Sequence, residues 1–426
     1  MKRRRQIGAL ALAAALLLAG CGQRTPAPEP DETELKEDPA NFLGLTAEQK
    51  QEDFDYTCKV LELYPIRQDL EQAQAVRFSS TLKRYRSIAL ESESDLAFLS
   101  AMRQMFFSLG NRGHLSLYMP QTYQDTRELY ALLDNQVKLA ILDNDASRAI
   151  YEKLDVSATG QFVLRQTGEE GTGAGNSSGG NQGAVEVKKL DDTTAYVRIP
   201  TFNGLVMEEN GPKVAQFIEA CAEDATEDLI IDIRGNGGGN ANYWRKYIVA
   251  PNITERKTVV MQYLFGDDLL ESAEARSQLM AEPPDIQQIK QPIEELPPYA
   301  QTADRAERFA YFVRNESSIS PAPAEHPFTG RFWLLVDGGN GSASEMLVDY
   351  CQQTGFATTV GEMTSGANCF GEPYLFAMPN SGLIFRFDPF YGLNPDGSCN
   401  NIHGVRAEIP CASKDALEEC LAEISK

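Results

Sequence analysis

The sequence predicts an α/β protein with a helical front portion. Apolar residues recur at helical spacing through 46–112 and again through 121–155. A Gly/Ser/Asn-rich segment, 168–183 (GEEGTGAGNSSGGNQG), then interrupts the pattern. Beyond it, short apolar runs alternate with helical stretches, as in a parallel strand–helix layer. The chain has 426 residues, enough for two or three domains with cores of their own. The expected divisions are 1–20, 21–45, 46–167, 168–183 and 184–426.

Taken in order, the first element is an export signal. Lys2, Arg3, Arg4 and Arg5 precede an apolar stretch, Ile7 to Ala19, too short to span a bilayer comfortably. Leu18-Ala19-Gly20-Cys21 then resembles the lipobox of bacterial lipoprotein signal peptides. That resemblance implies cleavage before Cys21 and a lipid on its thiol. The mature chain would then sit on the extracytoplasmic face of the cell membrane. Residues 22–45, rich in Pro, Glu, Asp and Thr, read as an acidic disordered tether.

Thr46 with Gln49 fits a capping box at the start of the first helix. Phe54, Cys58, Leu61 and Tyr64 continue it. Leu96, Leu99, Met102, Met105, Phe106 and Leu109 form a second stripe that stops at Gly110. Past the Gly-rich segment, Thr194 to Pro200 and Leu229 to Ile233 read as strands around a helix marked by Val214, Phe217, Ile218 and Cys221. Phe332 to Val336 and Ala357 to Val360 read as strands flanking a helix from Ser342 to Thr354. Residues 255–325, charged and Pro-containing, form an insertion expected as a lid or rim.

The 61 acidic against 39 basic residues give a net charge of −22. Removal of four basic residues with the signal leaves −22 − 4 = −26. That balance excludes nucleic acid as a main partner, because phosphate backbones attract basic patches. The histidines are His114, His326 and His403 alone, which argues against a His-rich metal site. Eight cysteines less Cys21 leave seven. A bridge between Cys369 and Cys399 is one open possibility.

Three segments carry chemistry. Asp232-Ile233-Arg234-Gly235-Asn236-Gly237-Gly238-Gly239 ends the LIIDI strand, and consecutive glycines there can turn backbone N–H groups toward an anion. The phosphate-loop pattern is absent, which sets nucleotide binding aside. Gly341-Ser342-Ala343-Ser344-Glu345 follows the next strand. Ser342 there reads either as a nucleophile beside free helix-terminal amides or as an ordinary N-cap. Gly113-His114-Leu115 offers an imidazole, the base such a serine requires.

Together these motifs resemble the tail-specific, or C-terminal-processing, serine peptidases. The Asp-x-Arg-x-Asn-x-Gly-Gly signature falls on Asp232 to Gly239, the Ser-Ala-Ser-Glu element on Ser342 to Glu345, and the VGExTxG segment on Val360 to Gly366. Gly404-Val405 resembles the family's late GV turn. The resemblance implies a ClpP/crotonase-like α/β spiral preceded by a helical N-terminal domain. It implies a protein or peptide substrate and no metal or cofactor. The lysine of the Ser/Lys branch is missing, since its position is Ala367. The branch typified by the tricorn core takes a histidine from the helical domain, where His114 lies. By this resemblance Ser342 is the nucleophile, His114 the base and Asn401 its orienting partner, in place of the branch's Glu. Gly238 and Ala343 would supply the oxyanion donors. The rival reading is an inactive relative that binds peptides or envelope partners. The interval 116–185 also lacks a recognisable carboxylate-binding loop of the kind that reads substrate tails.

Overall fold

A computed structural model describes residues 39–73, 75–165, 184–281, 285–322 and 324–426. The signal segment 1–20, Cys21, the tether up to Asp38 and the segment 168–183 lie outside the described residues.

Helix α1 (Ala47–Val60) opens with the capping box that its sequence spacing predicts. Thr46 Oγ1 accepts the Gln49 amide, and Gln49 Oε1 accepts the Thr46 amide. Helices α2 (Phe78–Leu90) and α3 (Asp95–Leu109) follow. Ser94 caps α3 and Gly110 ends it. Phe98, Leu99, Met102, Met105, Phe106 and Leu109 are all buried along one stripe. Each such side chain contributes roughly 1.5–3 kcal/mol of burial free energy. Residues 39–45, assigned to the tether by composition, are instead fixed on α3. The buried Asp95 carboxylate accepts the amides of Leu43, Gly44 and Leu45 at 2.8, 2.8 and 3.2 Å.

The short strand β1 (Ser116–Leu117) leads into α4 (Pro120–Leu132), α5 (Gln136–Leu142) and α6 (Asp145–Lys153). A small hairpin, Leu154–Val156 with Phe162–Leu164, follows.

The later chain builds a six-stranded sheet. Its strands are β2 (Glu186–Lys189), β3 (Thr194–Arg198), β4 (Asp228–Asp232), β8 (Arg331–Val336), β9 (Thr358–Gly361) and β13 (Ile409–Pro410), in that spatial order. All neighbours are parallel except β2 and β3. Helix α7 (Met207–Ala222) joins β3 to β4, and α8 (Ala343–Thr354) joins β8 to β9. Alternate strand residues serve two cores, as a sheet covered on both faces requires. Val197, Leu229, Ile231 and Leu334 pack with residues of α7 and α8. Tyr196, Ile230, Trp333 and Leu335 pack with the closing helix α9 (Ala416–Ile424).

The segment expected as a lid holds strand structure of its own. Strands β5 (Lys257–Phe265), β6 (Lys290–Pro292), β7 (Tyr311–Ile319) and β12 (Tyr391–Leu393) form an antiparallel sheet. A third sheet joins β1 to β10 (Tyr374–Ala377) and β11 (Ile384–Phe387) in the order β1-β11-β10. One core runs through the front helices and both antiparallel sheets. Residues 39–426 make one compact unit. Among the described residues no helix is long and apolar enough to cross a membrane.

Candidate active site

Ligands of parallel sheets bind beyond the carboxyl ends of the strands. Here the loops leaving β4, β8 and β9 lie side by side because those strands are neighbours. They carry the glycine turn 233–239, the serine turn 337–342 and the segment 362–370. Asn340 clamps them together. Its Nδ2 donates to the carbonyl oxygens of Ile233 and Asn236, at 2.5 and 3.2 Å. Its own carbonyl oxygen accepts the amide and hydroxyl of Ser365, at 2.8 and 2.6 Å.

Ser342 occupies the turn into α8 with φ 55° and ψ −130°. Its hydroxyl makes no capping bond. Ser344 takes the local role instead, accepting the Gly341 amide and reaching the Asn236 carbonyl oxygen at 2.6 Å. A left-handed backbone at a residue with a side chain costs of order 1–3 kcal/mol and is kept where surrounding structure imposes it. Only His114, Asp134 and Ser342 show a positive φ among the described non-glycine residues.

Gly238 packs directly on this turn. A Cβ there would lie 2.6 Å from the Gly341 oxygen and 2.8 Å from Ser342 Cβ. Its amide, expected as an oxyanion donor, is already committed: it donates to Asn236 Oδ1 at 2.9 Å. The amide of Ala343, at the first position of α8, keeps the free N–H that helix geometry leaves there.

His114 is positioned across the molecule from its own segment. Strand β1 pairs antiparallel with β11, Ser116 opposite Arg386. Extending that register two residues sets His114 opposite Asp388. The Asp388 amide donates to the Gly113 oxygen at 2.8 Å. His114 Nδ1 lies 2.7 Å from Asp388 Oδ1. Asp388 is buried at 1 % exposure. Asn401, expected to orient the imidazole, stands one step back. Its Nδ2 donates to Asp388 Oδ2 at 3.2 Å, and its Oδ1 accepts the Gly392 amide at 3.0 Å. The sequence reading missed Asp388. Its signal was a lone acid in a largely apolar run, LIFRFDPF at 383–390, directly after strand β11.

Arg112 ties the two sides, donating to the carbonyl oxygens of Ser365 and Ile402 at 2.9 and 2.8 Å. The other histidines lie elsewhere. His403 is exposed at the end of a short helix, and His326 pairs with Glu223. No hydrogen bond joins His114 to the Ser342 hydroxyl in this structure.

A buried polar network backs the serine turn. Glu345 accepts from Thr364 Oγ1 and the Ala367 amide at 2.7 Å each, and from Asn400 Nδ2 at 3.1 Å. Burial pushes its carboxyl up to about 6, against the pull of those bonds and of the nearby His114. One helical turn on, burial and then the Glu345 charge push Asp349 up to about 8, while Asn368 Nδ2 donates to it at 2.5 Å. Asp232 behaves differently. Burial alone would raise it, but Arg234 and Tyr196 hold it below its ordinary value. The signature's Asp and Arg therefore brace the strand end, with Arg234 also donating to the Ser413 carbonyl oxygen.

Cys369 enters the site from the segment after β9. One ligand atom each from His114, Cys369 and Asp388 lie within 4.8 Å of one another. Cys399 is a free thiol, so it forms no bridge to Cys369. The interval after β1 holds three helices and a hairpin among its described residues.

The sequence model of peptidase family S41 matches residues 193–411. No curated protein sequence matches the chain. Among solved structures, mature CPAF complexed with lactacystin shares 14% identity, covering 89% of this chain and 98% of its own, with a TM-score of 0.51. A peptidase candidate from Parabacteroides merdae ATCC 43184 is also 14% identical, covering 88% and 96%, with a TM-score of 0.50. At that identity the likeness speaks for the fold. The family model spans more than half of the chain and takes in both the glycine turn and the serine turn, so the protein belongs to peptidase family S41 and has the function of a peptidase.

Proposed function

We infer that the protein is a serine peptidase in which Ser342 attacks the peptide carbonyl and His114 serves as general base. Asp388 fixes the imidazole through Nδ1 and stabilises the imidazolium by charge, and Asn401 is a positioning residue that holds Asp388. The carboxylate removes the difficulty that an Asn partner posed, since an amide cannot offset a developing positive charge. His114 then returns the proton to the leaving amine. The Ala343 amide supplies one oxyanion donor. The second comes from the glycine turn, with Gly237 or Gly239 better suited than Gly238.

The observation that carries this reading is the left-handed backbone of Ser342, whose hydroxyl is held out of the capping role its position invites. The test is peptide hydrolysis alongside labelling by a fluorophosphonate, which reacts with activated serines. Labelling that disappears in Ser342→Ala supports the enzyme. A folded wild-type protein that neither hydrolyses peptides nor takes the label would establish the inactive, peptide-binding alternative.

The same reading places the protein on the extracytoplasmic face of the membrane through a lipid on Cys21. Its support is the basic segment, apolar run and lipobox together. Cys21→Ala should release the protein from the membrane fraction. Retention there would remove the anchor from the account.

A further inference from the structure

We propose that His114, Cys369 and Asp388 form an inhibitory site for a zinc-like divalent cation. Three different donor atoms, nitrogen, sulfur and oxygen, converge within 4.8 Å. Zinc bonds such atoms at about 2.0–2.3 Å, so tetrahedral ligands lie about 3.3–3.8 Å apart. Side-chain rotation would open the 2.7 Å His114–Asp388 contact and bring the three atoms into that range. Each ligand sits on a separate, braced segment. His114 follows the left-handed Gly113, and Asp388 is held by the hydrogen bond its amide donates to the Gly113 carbonyl oxygen. Cys369 follows Asn368, whose amide donates to Asn400 Oδ1 and whose side chain accepts from Tyr263.

The outer contacts suit a metal as well. Asn401 holds Asp388 Oδ2, which leaves Oδ1, the oxygen now facing the imidazole, to bind the ion. His114, whose side chain is 11% exposed, gives the ion a narrow way in, while Cys369 and Asp388 are buried. Three protein ligands leave one position for water. A bound ion withdraws both the base and its carboxylate from catalysis, so hydrolysis stops until the ion leaves. Inhibition rests on the serine-peptidase reading; binding does not.

Cobalt(II) tests binding without any turnover. The whole protein should show a thiolate-to-cobalt charge-transfer band that saturates at one ion per chain and is displaced by zinc. The band should persist in Ser342→Ala and vanish in Cys369→Ser. Should Cys369→Ser fail to fold, zinc should instead slow alkylation of Cys369 in the wild-type chain, read by peptide mass mapping. No band, a band unchanged by Cys369→Ser, or alkylation indifferent to zinc would overturn the site. For inhibition, zinc should block hydrolysis reversibly by chelator. Cys369→Ser should need at least about tenfold more zinc for half-inhibition, the scale on which even outer-shell changes move metal affinity. Equal sensitivity in both would overturn the inhibitory role.

Discussion

Ser342 sits on a turn braced by loops from adjacent strands of one sheet, while His114 sits on a turn braced by a strand pair 270 residues apart in the chain. Both turns use a left-handed backbone to aim a side chain. The serine turn is crowded: a Cβ on Gly238 would meet the backbone of Gly341 and Ala343, and one on Gly341 the Ser365 hydroxyl at 2.6 Å. The histidine turn is looser: a Cβ on Gly113 would meet only side-chain atoms, the nearest being Asn401 Nδ2 at 3.3 Å. The first turn is thus set by close packing between loops at one end of a sheet, and the second by a two-residue strand pairing. Errors introduced in one should be absorbed far less readily than in the other.

A large effect on activity should come from the carboxylate that holds the His114 imidazole. Asp388→Asn keeps the shape but removes the charge and favours the wrong tautomer. In the best-studied serine triad the same change lowers kcat about 10⁴-fold. Initial rates of peptide hydrolysis should fall on that scale, and a loss under about tenfold would separate Asp388 from the mechanism. Asn401→Ala acts one step further out. It leaves the Gly392 amide without its acceptor, at a cost of about 1–3 kcal/mol in stability. Its rate loss should be smaller than that of Asp388→Asn.

The glycines sharpen the contrast between turns. Gly238→Ala sets a methyl 2.6 Å from the Gly341 oxygen at φ +102°. It should abolish activity through displacement of Ser342, checked by hydrolysis on a sample with native circular dichroism. Gly113→Ala meets softer neighbours at φ +49° and should reduce rate and stability only partly, with about 1–3 kcal/mol of strain. Gly237→Ala, with no atom within 4 Å of its Cβ, should stay within about 0.5 kcal/mol of wild type in denaturant unfolding. Equal effects of Gly238→Ala and Gly237→Ala would break the comparison.

A smaller effect is read in pH. Asp349 is protonated in the folded protein up to about 8, whereas the unfolded chain ionises it in the ordinary carboxylate range. The unfolded state therefore binds fewer protons in that window, and stability falls as pH rises through it, by at most about 1.4 kcal/mol per unit. Asp349→Asn keeps a carbonyl for the Asn368 donor and should flatten the fall between pH 5 and 8. Identical slopes in thermal unfolding would contradict the buried, protonated carboxyl.

What the sequence disclosed follows the same division. The parallel strands, their helices and the serine and glycine turns were legible because each motif is contiguous and bounded by its own strand. The capping box at Thr46 and the stripe on α3 were legible for the same reason. The partner of His114 was not, because a two-residue strand pairing fixes it and leaves no periodic trace. The commitment of the Gly238 amide was also invisible, since it depends on which way the Asn236 side chain turns. The strands within 255–325 were hidden by charges and prolines that sit in the connecting helices and turns. Residues 39–45 (PANFLGL) carry no acid themselves and follow an acidic, Pro-rich stretch, whose composition says nothing of the buried Asp95 that gathers the amides of residues 43–45.

The proposed mechanism depends on the imidazole of His114 activating the hydroxyl of Ser342. The most direct measurement is the rate of fluorophosphonate attachment to the peptide containing Ser342, followed by mass in wild type and in His114→Ala, with and without added imidazole. Attachment is expected at Ser342 in wild type, with loss by about two orders of magnitude or more in His114→Ala and partial recovery with imidazole. Attachment at another residue, or an unchanged rate in His114→Ala, would contradict this mechanism.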